Sequence, residues 1–155
     1  MRSITLLLAS MALMVCVAAS VALAVTKNCN EDDPCFGTNG PDTLIGSDGN
    51  DHIFGLGGPD TIRGREGEDE ISGGGGGDEL RGGADNDTIF VGFGDDTVFG
   101  SSGNDGIDVS GDQELGFQDK VFCGPGLDVV ILDENDDVVT DDNSNQDCEV
   151  LIGPG

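Results

Sequence analysis

Gly37 to Asp108 reads GTNGPDTLI, GSDGNDHIF, GLGGPDTIR, GREGEDEIS, GGGGGDELR, GGADNDTIF, VGFGDDTVF and GSSGNDGID, eight nonapeptides in unbroken phase. Position six is aspartate every time: Asp42, Asp51, Asp60, Asp69, Asp78, Asp87, Asp96 and Asp105. Position eight is always aliphatic: Leu44, Ile53, Ile62, Ile71, Leu80, Ile89, Val98 and Ile107. Glycine opens each unit except at Val91, and fills position four except at Asp85. Three residue classes held in phase over so many periods mark a repeat architecture, in which each unit buries its apolar side only against its neighbours.

The spacing within one unit predicts its shape. Positions one to five are glycine with Asn, Asp, Ser or Pro, which suits a tight turn with positive φ and close backbone approach. Positions six to nine read as a short strand. Strand alternation puts the aspartate at six and the aliphatic residue at eight on the inner side, and turns seven and nine to water. A strand of four residues is too short to persist alone, so the units must stack.

This pattern resembles the RTX family of calcium-binding nonapeptide repeats, G-G-x-G-x-D-x-U-x. The resemblance implies an all-β parallel β-roll, a β-solenoid in which two nonapeptides make one turn. Units eighteen residues apart would then lie on one another. One stack would carry Asp42, Asp60, Asp78 and Asp96, and the other Asp51, Asp69, Asp87 and Asp105, with Asp69 central and Asp105 at an end. The resemblance further implies calcium between successive loops of a stack, held by those aspartates and by backbone carbonyls. The loop glycines are Gly37, Gly40, Gly46, Gly49, Gly55, Gly58, Gly64, Gly67, Gly73, Gly76, Gly82, Gly94, Gly100 and Gly103. Four loops per stack enclose three gaps, so two stacks hold at most six sites by this reading.

The donor set suits calcium on its own account. Ca²⁺ takes about 6 to 8 hard oxygens in an adaptable shell, which carboxylates and loop carbonyls supply. Zinc asks for His or Cys, and the chain has a single histidine. Magnesium, with its near-octahedral demand and retained waters, matches a carbonyl-rich loop less well.

The charge narrows the partners. Asp and Glu number 31 against 6 Lys and Arg, a formal −25, so nucleic acid and anionic membrane surfaces would be repelled. Such acidity without Trp or Tyr would ordinarily describe a disordered tract, and the phase of the repeat argues against that. Stacked aspartates repel one another until a cation lies between them. The metal-free array is therefore expected to be loose or unfolded, and calcium binding to be coupled to folding.

The flanks read differently. Arg2 followed by the uncharged apolar run Ile4 to Val25, with Ala22-Leu23-Ala24 as a small-x-small site, predicts a secretory signal peptide over 1–24 and a secreted, extracellular product. Residues 25–36 are expected to cap the N-terminal end of the roll at 37–108. Residues 109–155 are expected to cap the other end with degenerate repeats, including the apolar strands KVFC and VVIL. There, CGPGLDVVI and LDENDDVVT place Asp128 and Asp137 at position six and Val130 and Val139 at position eight. Asp128 lies twenty-three residues past Asp105 and so falls outside the uninterrupted register. The export signal leaves Cys29, Cys35, Cys123 and Cys148, an even number that favours disulfides in an oxidising compartment. Three pairings are open. Cys29–Cys35 and Cys123–Cys148 are preferred because each brackets one end of the array.

Catalytic readings are weak. His52 stands at outward position seven, where a solvated imidazole is the ordinary case. Carboxylates recurring every nine residues produce glycosidase-like pairs by geometry alone. The glycines at 73–77 lack the Lys-Ser/Thr of a phosphate loop. Nothing in the chain is large enough to be the catalytic or pore-forming domain that accompanies such repeats in toxins, proteases and lipases. The expectation is thus a non-enzymatic calcium-binding protein. The alternative is an adhesion, matrix or surface-interaction protein that uses the roll as a scaffold, with Phe54, Phe90 and Phe99 at outward position nine as contact area.

Overall fold

The computed structural model describes residues 24–30, 33–110, 116–132, 136–138 and 147–152, so the expected leader up to residue 23 lies outside the described residues. The strands in chain order are β1 (Thr26–Asn28), β2 (Cys35–Phe36), β3 (Thr43–Ile45), β4 (His52–Gly57), β5 (Thr61–Arg65), β6 (Glu70–Gly75) and β7 (Glu79–Ala84). They continue with β8 (Thr88–Phe93), β9 (Thr97–Ser102), β10 (Gly106–Asp108), β11 (Lys120–Phe122), β12 (Leu127–Leu132), β13 (Asp137–Val138) and β14 (Asp147–Ile152). Odd-numbered strands form one seven-stranded sheet and even-numbered strands the other, all paired in parallel between strands two apart in sequence. The protein is therefore a parallel β-solenoid, as the repeat implied.

Register follows position within the nonapeptide. Leu44 pairs with Ile62, Ile62 with Leu80 and Leu80 with Val98 in the odd sheet, while Ile53, Ile71, Ile89 and Ile107 align in the even sheet. All eight of these side chains are buried between the sheets, at no more than 1 % exposure. At about 1.5–3 kcal/mol for each such side chain, this single file of aliphatics is the apolar driving force of the roll. Val91 and Val109, eighteen residues apart at position one, join it and are fully buried.

The inner strands are longer than the nonapeptide suggests. β4 runs through positions seven to nine of one unit and one to three of the next, with Leu56 aligned on Gly74 and Gly57 on Gly75. Glycines from successive turns lie directly above one another, so their backbones approach closely enough to extend the ladder into what sequence reads as loop. Position two of these strands turns through positive φ, and Leu56 does so at φ 77° although half-exposed. A left-handed conformation costs a non-glycine residue about 1–2 kcal/mol. Leu56→Gly is expected to raise the thermal midpoint, with a gain of about 1 kcal/mol. A lowered midpoint would mean that the leucine side chain contributes more than its backbone strain takes away.

The roll does not stop where the phase breaks. Ile107 pairs with Val130 and Thr97 with Lys120, so β11 and β12 add to both sheets across a register that is five residues longer in sequence. Asp128 thus stands on Asp105 despite the twenty-three-residue separation, the extra residues lying in the connection. The following turn is one residue short, with Asp119 N donating to Asp136 Oδ1 across seventeen residues. Asp137 and Val138 accordingly align with Lys120 and Val121. The expected placement of Asp137 at position six and Val139 at position eight is therefore displaced by one residue.

Both disulfides join Cys29 to Cys35 and Cys123 to Cys148. Cys35 takes the core place of a position-eight aliphatic, aligned on Ile53, and Cys148 aligns on Asp128.

Candidate metal centre

The position-six aspartates form two buried columns, one at each edge where the chain passes between the sheets. All eight are at most 4 % exposed. Within a column each Oδ1 accepts the backbone N–H of the aspartate one turn earlier: Asp42 N to Asp60 at 2.8 Å, Asp60 N to Asp78 at 2.8 Å and Asp78 N to Asp96 at 2.6 Å. The other column runs from Asp51 N to Asp69 at 2.8 Å, Asp69 N to Asp87 at 3.0 Å and Asp87 N to Asp105 at 2.9 Å. Each column then crosses the register break, through Asp96 N to Asp119 Oδ1 at 2.9 Å and Asp105 N to Asp128 Oδ1 at 2.9 Å. The structure therefore brings the eight predicted aspartates together as two columns and adds Asp119, 0 % exposed, and Asp128, 1 % exposed, to them.

The second carboxylate oxygen carries the chemistry. Oδ2 of Asp60, Asp69, Asp78, Asp87, Asp105 and Asp128 is buried and accepts no hydrogen bond. A buried acceptor left unpaired costs free energy, and a charged one costs much more. Oδ2 of Asp60, Asp69, Asp78, Asp87 and Asp105 lies beside position one of its own unit. At Gly73 the place a Cβ would take is 2.7 Å from Asp78 Oδ2 and 2.5 Å from the carbonyl oxygen of Val91, one turn on. Around Gly55, Gly64, Gly82 and Gly100 the same pairing recurs, of the unit's own aspartate with a carbonyl of the next turn. Glycine is needed there because two oxygens from successive turns converge where any side chain would stand.

The carboxyls respond to this confinement. Burial pushes Asp60 and Asp87 up to about 7 and Asp69 and Asp105 up to about 6, against backbone hydrogen bonds that favour the ionised form. Neighbouring aspartates of the same column add to the rise, Asp78 and Asp42 at Asp60, Asp105 and Asp69 at Asp87. Asp78 and Asp128 are likewise raised by burial.

The oxygen-only lining fits a hard cation. Among the described residues no three His, Cys, Asp or Glu side chains converge on one point, so a cation would rely on backbone carbonyls for much of its shell. That mixture belongs to calcium more than to zinc or magnesium. Of the predicted loop glycines, those at position one flank the carboxylates, whereas Gly58, Gly67, Gly76, Gly94 and Gly103 provide the positive-φ turn itself. Asp85 adopts φ 73° in the place of such a glycine. His52 is exposed, its Nδ1 3.1 Å from Glu70 Oε2, and takes no part in either column. Asp119 escaped the sequence reading because the insert hides its phase. Its D-x-aliphatic-x signature, DKVF, was the available signal.

A parallel solenoid with stacked turns and columns of inward carboxylates is a structural cation-binding fold. The family described as the RTX calcium-binding nonapeptide repeat (4 copies) matches residues 36–71 and 72–107, and this array belongs to it. No curated protein and no solved structure matches the chain. Residues 36–107 of the chain are thus nonapeptide repeats of this calcium-binding type.

Proposed function

We propose that this is a secreted protein whose repeat array folds as calcium binds between stacked turns, and that it has no catalytic activity. The row of buried, unpartnered Oδ2 atoms at Asp60, Asp69, Asp78, Asp87 and Asp105 carries the reading. In it, Asp60, Asp69, Asp78, Asp87, Asp96 and Asp105 belong to the ligand set together with the loop carbonyls. Residues 1–24 act as the export signal, and residues 25–36 and 109–155 close the two ends. Extracellular calcium modules of other folds bind at roughly 10⁻⁴ to 10⁻³ M, the range proposed here. Binding is cooperative, since a site is complete only when two turns stack. Calorimetry on the exported chain tests this: a steep calcium isotherm in that range is expected, with little heat from magnesium at equal concentration. A non-cooperative isotherm, or saturation at submicromolar calcium, would overturn it.

A second reading, surface interaction, rests on the outer faces. Phe36 stacks on Phe54 at 5.1 Å and Phe99 on Phe122 at 4.8 Å between ring centroids, and the Arg81 guanidinium lies 4.7 Å from the Phe99 centroid. Such rows suit adhesion once calcium has stiffened the roll. A pull-down with and without calcium separates the two, because a purely structural roll retains no partner in either.

A further inference from the structure

Position two of the nonapeptide separates the first loop of each column from those that follow. At Leu56, Arg65, Gly74, Gly83, Gly92 and Ser101 it has φ between 77° and 140°. Thr38 and Ser47 instead turn both of their donors onto the aspartate of their own loop. Thr38 N and Oγ1 donate to Asp42 Oδ2 at 2.5 and 3.0 Å, and Ser47 N and Oγ donate to Asp51 Oδ2 at 2.6 and 3.0 Å. The oxygen that is bare at Asp60 and Asp69 is therefore doubly hydrogen-bonded at Asp42 and Asp51. An N–H and an O–H place positive charge on the lone pairs that a cation would use, so donors and cation exclude each other. Ser101 shows that a hydroxyl alone is not enough: its backbone stands at φ 81° and Asp105 Oδ2 stays unpartnered. The unpartnered Oδ1 of Asp51 is the ladder oxygen at the foot of its column, because the N–H of Asp33, eighteen residues earlier, donates to Asn30 Oδ1 instead.

We infer that the first loop of each column is closed by its own hydroxyl residue and takes no calcium, so that calcium sites begin with the carboxylates of Asp60 and Asp69. This rests on the calcium reading above and specifies which loops it applies to. Thr38 and Ser47 act as built-in substitutes for the cation at the end of the roll.

Native mass spectrometry of the full exported chain at saturating calcium counts the ions directly. Asp42→Asn and Asp51→Asn are expected to leave the number per chain unchanged, whereas Asp60→Asn and Asp69→Asn each lower it by at least one. Thr38→Gly with Ser47→Gly, which removes both hydroxyls and lets the backbone N–H turn away through positive φ, is expected to raise it. Circular dichroism in calcium checks that every variant is folded. If Asp42→Asn and Asp60→Asn lose calcium equally, or the double glycine variant gains none, the loop assignment is overturned while the calcium reading stands. A wild-type chain that binds no calcium overturns the calcium reading itself, and the loop assignment with it.

Discussion

In excess chelator at pH 8 the chain is expected to give a coil-like circular-dichroism spectrum, and lowering the pH to 5 without calcium is expected to restore part of the β signal. The reason lies in the carboxyls that burial raises, Asp60 and Asp87 to about 7 and Asp69 and Asp105 to about 6. An unfolded aspartate titrates near 3.9, so between about pH 4 and 7 the folded roll binds more protons than the unfolded chain. Stability then falls as pH rises through that window: it is fully present below the unfolded value and lost above the folded one. At pH 8 the metal-free roll must hold columns of ionised, desolvated carboxylates. It is expected to unfold rather than do so. Protons and calcium discharge the same columns, and calcium affinity should therefore drop as pH falls from 8 to 5. A β-rich spectrum that persists in chelator at pH 8, or a chelated chain with equal β content at both pH values, would refute this account.

Asp87→Ala and Asp105→Ala are expected to lose calcium and stability to the same extent. Were the column to end with the last nonapeptide in phase, Asp105 would border one loop only and its loss would do less harm. The roll continues past it: Asp105 N donates to Asp128 Oδ1 at 2.9 Å, as Asp87 N does to Asp105 at the same distance. Each alanine also strips an acceptor from the buried N–H one turn earlier, at Asp69 and Asp87 respectively. An unsatisfied buried donor costs about 1–3 kcal/mol, on top of any cation lost. Asparagine keeps one oxygen for that N–H and removes the charge, so Asp87→Asn and Asp105→Asn should fall between wild type and alanine. Denaturant melts in calcium, read beside the bound-ion count, measure both effects. If Asp105→Ala loses about half as much calcium as Asp87→Ala, the columns end at residue 108 and the turns beyond it are not part of the calcium-binding array.

Much of this was legible in the chain because a solenoid writes its geometry into a period. Aspartate at six and an aliphatic at eight, repeated every nine residues, determined the parallel roll, the two columns, the apolar file and the pairing of Leu44 with Ile62 and Ile53 with Ile71. The preferred pairings Cys29–Cys35 and Cys123–Cys148 are those the structure contains. Where phase was lost, so was legibility. Asp119 and Asp136 join a column only because a connection absorbs five extra residues and a turn omits one, adjustments of spacing that a local signature such as DKVF does not reveal.

The sequence by itself determined which residues face inward, since strand alternation and the nonapeptide period need no distant contact to be read. Only the tertiary structure decided how each carboxylate is used. Thr38, Ser47 and Ser101 are alike as residues, yet two close onto their aspartates and one does not. The difference is backbone conformation at position two, and that is set by the turn stacked against it. Among the described residues an inner loop has aspartate loops of its column on both sides, whereas the first has one on one side only and turns its own hydroxyl onto its carboxylate.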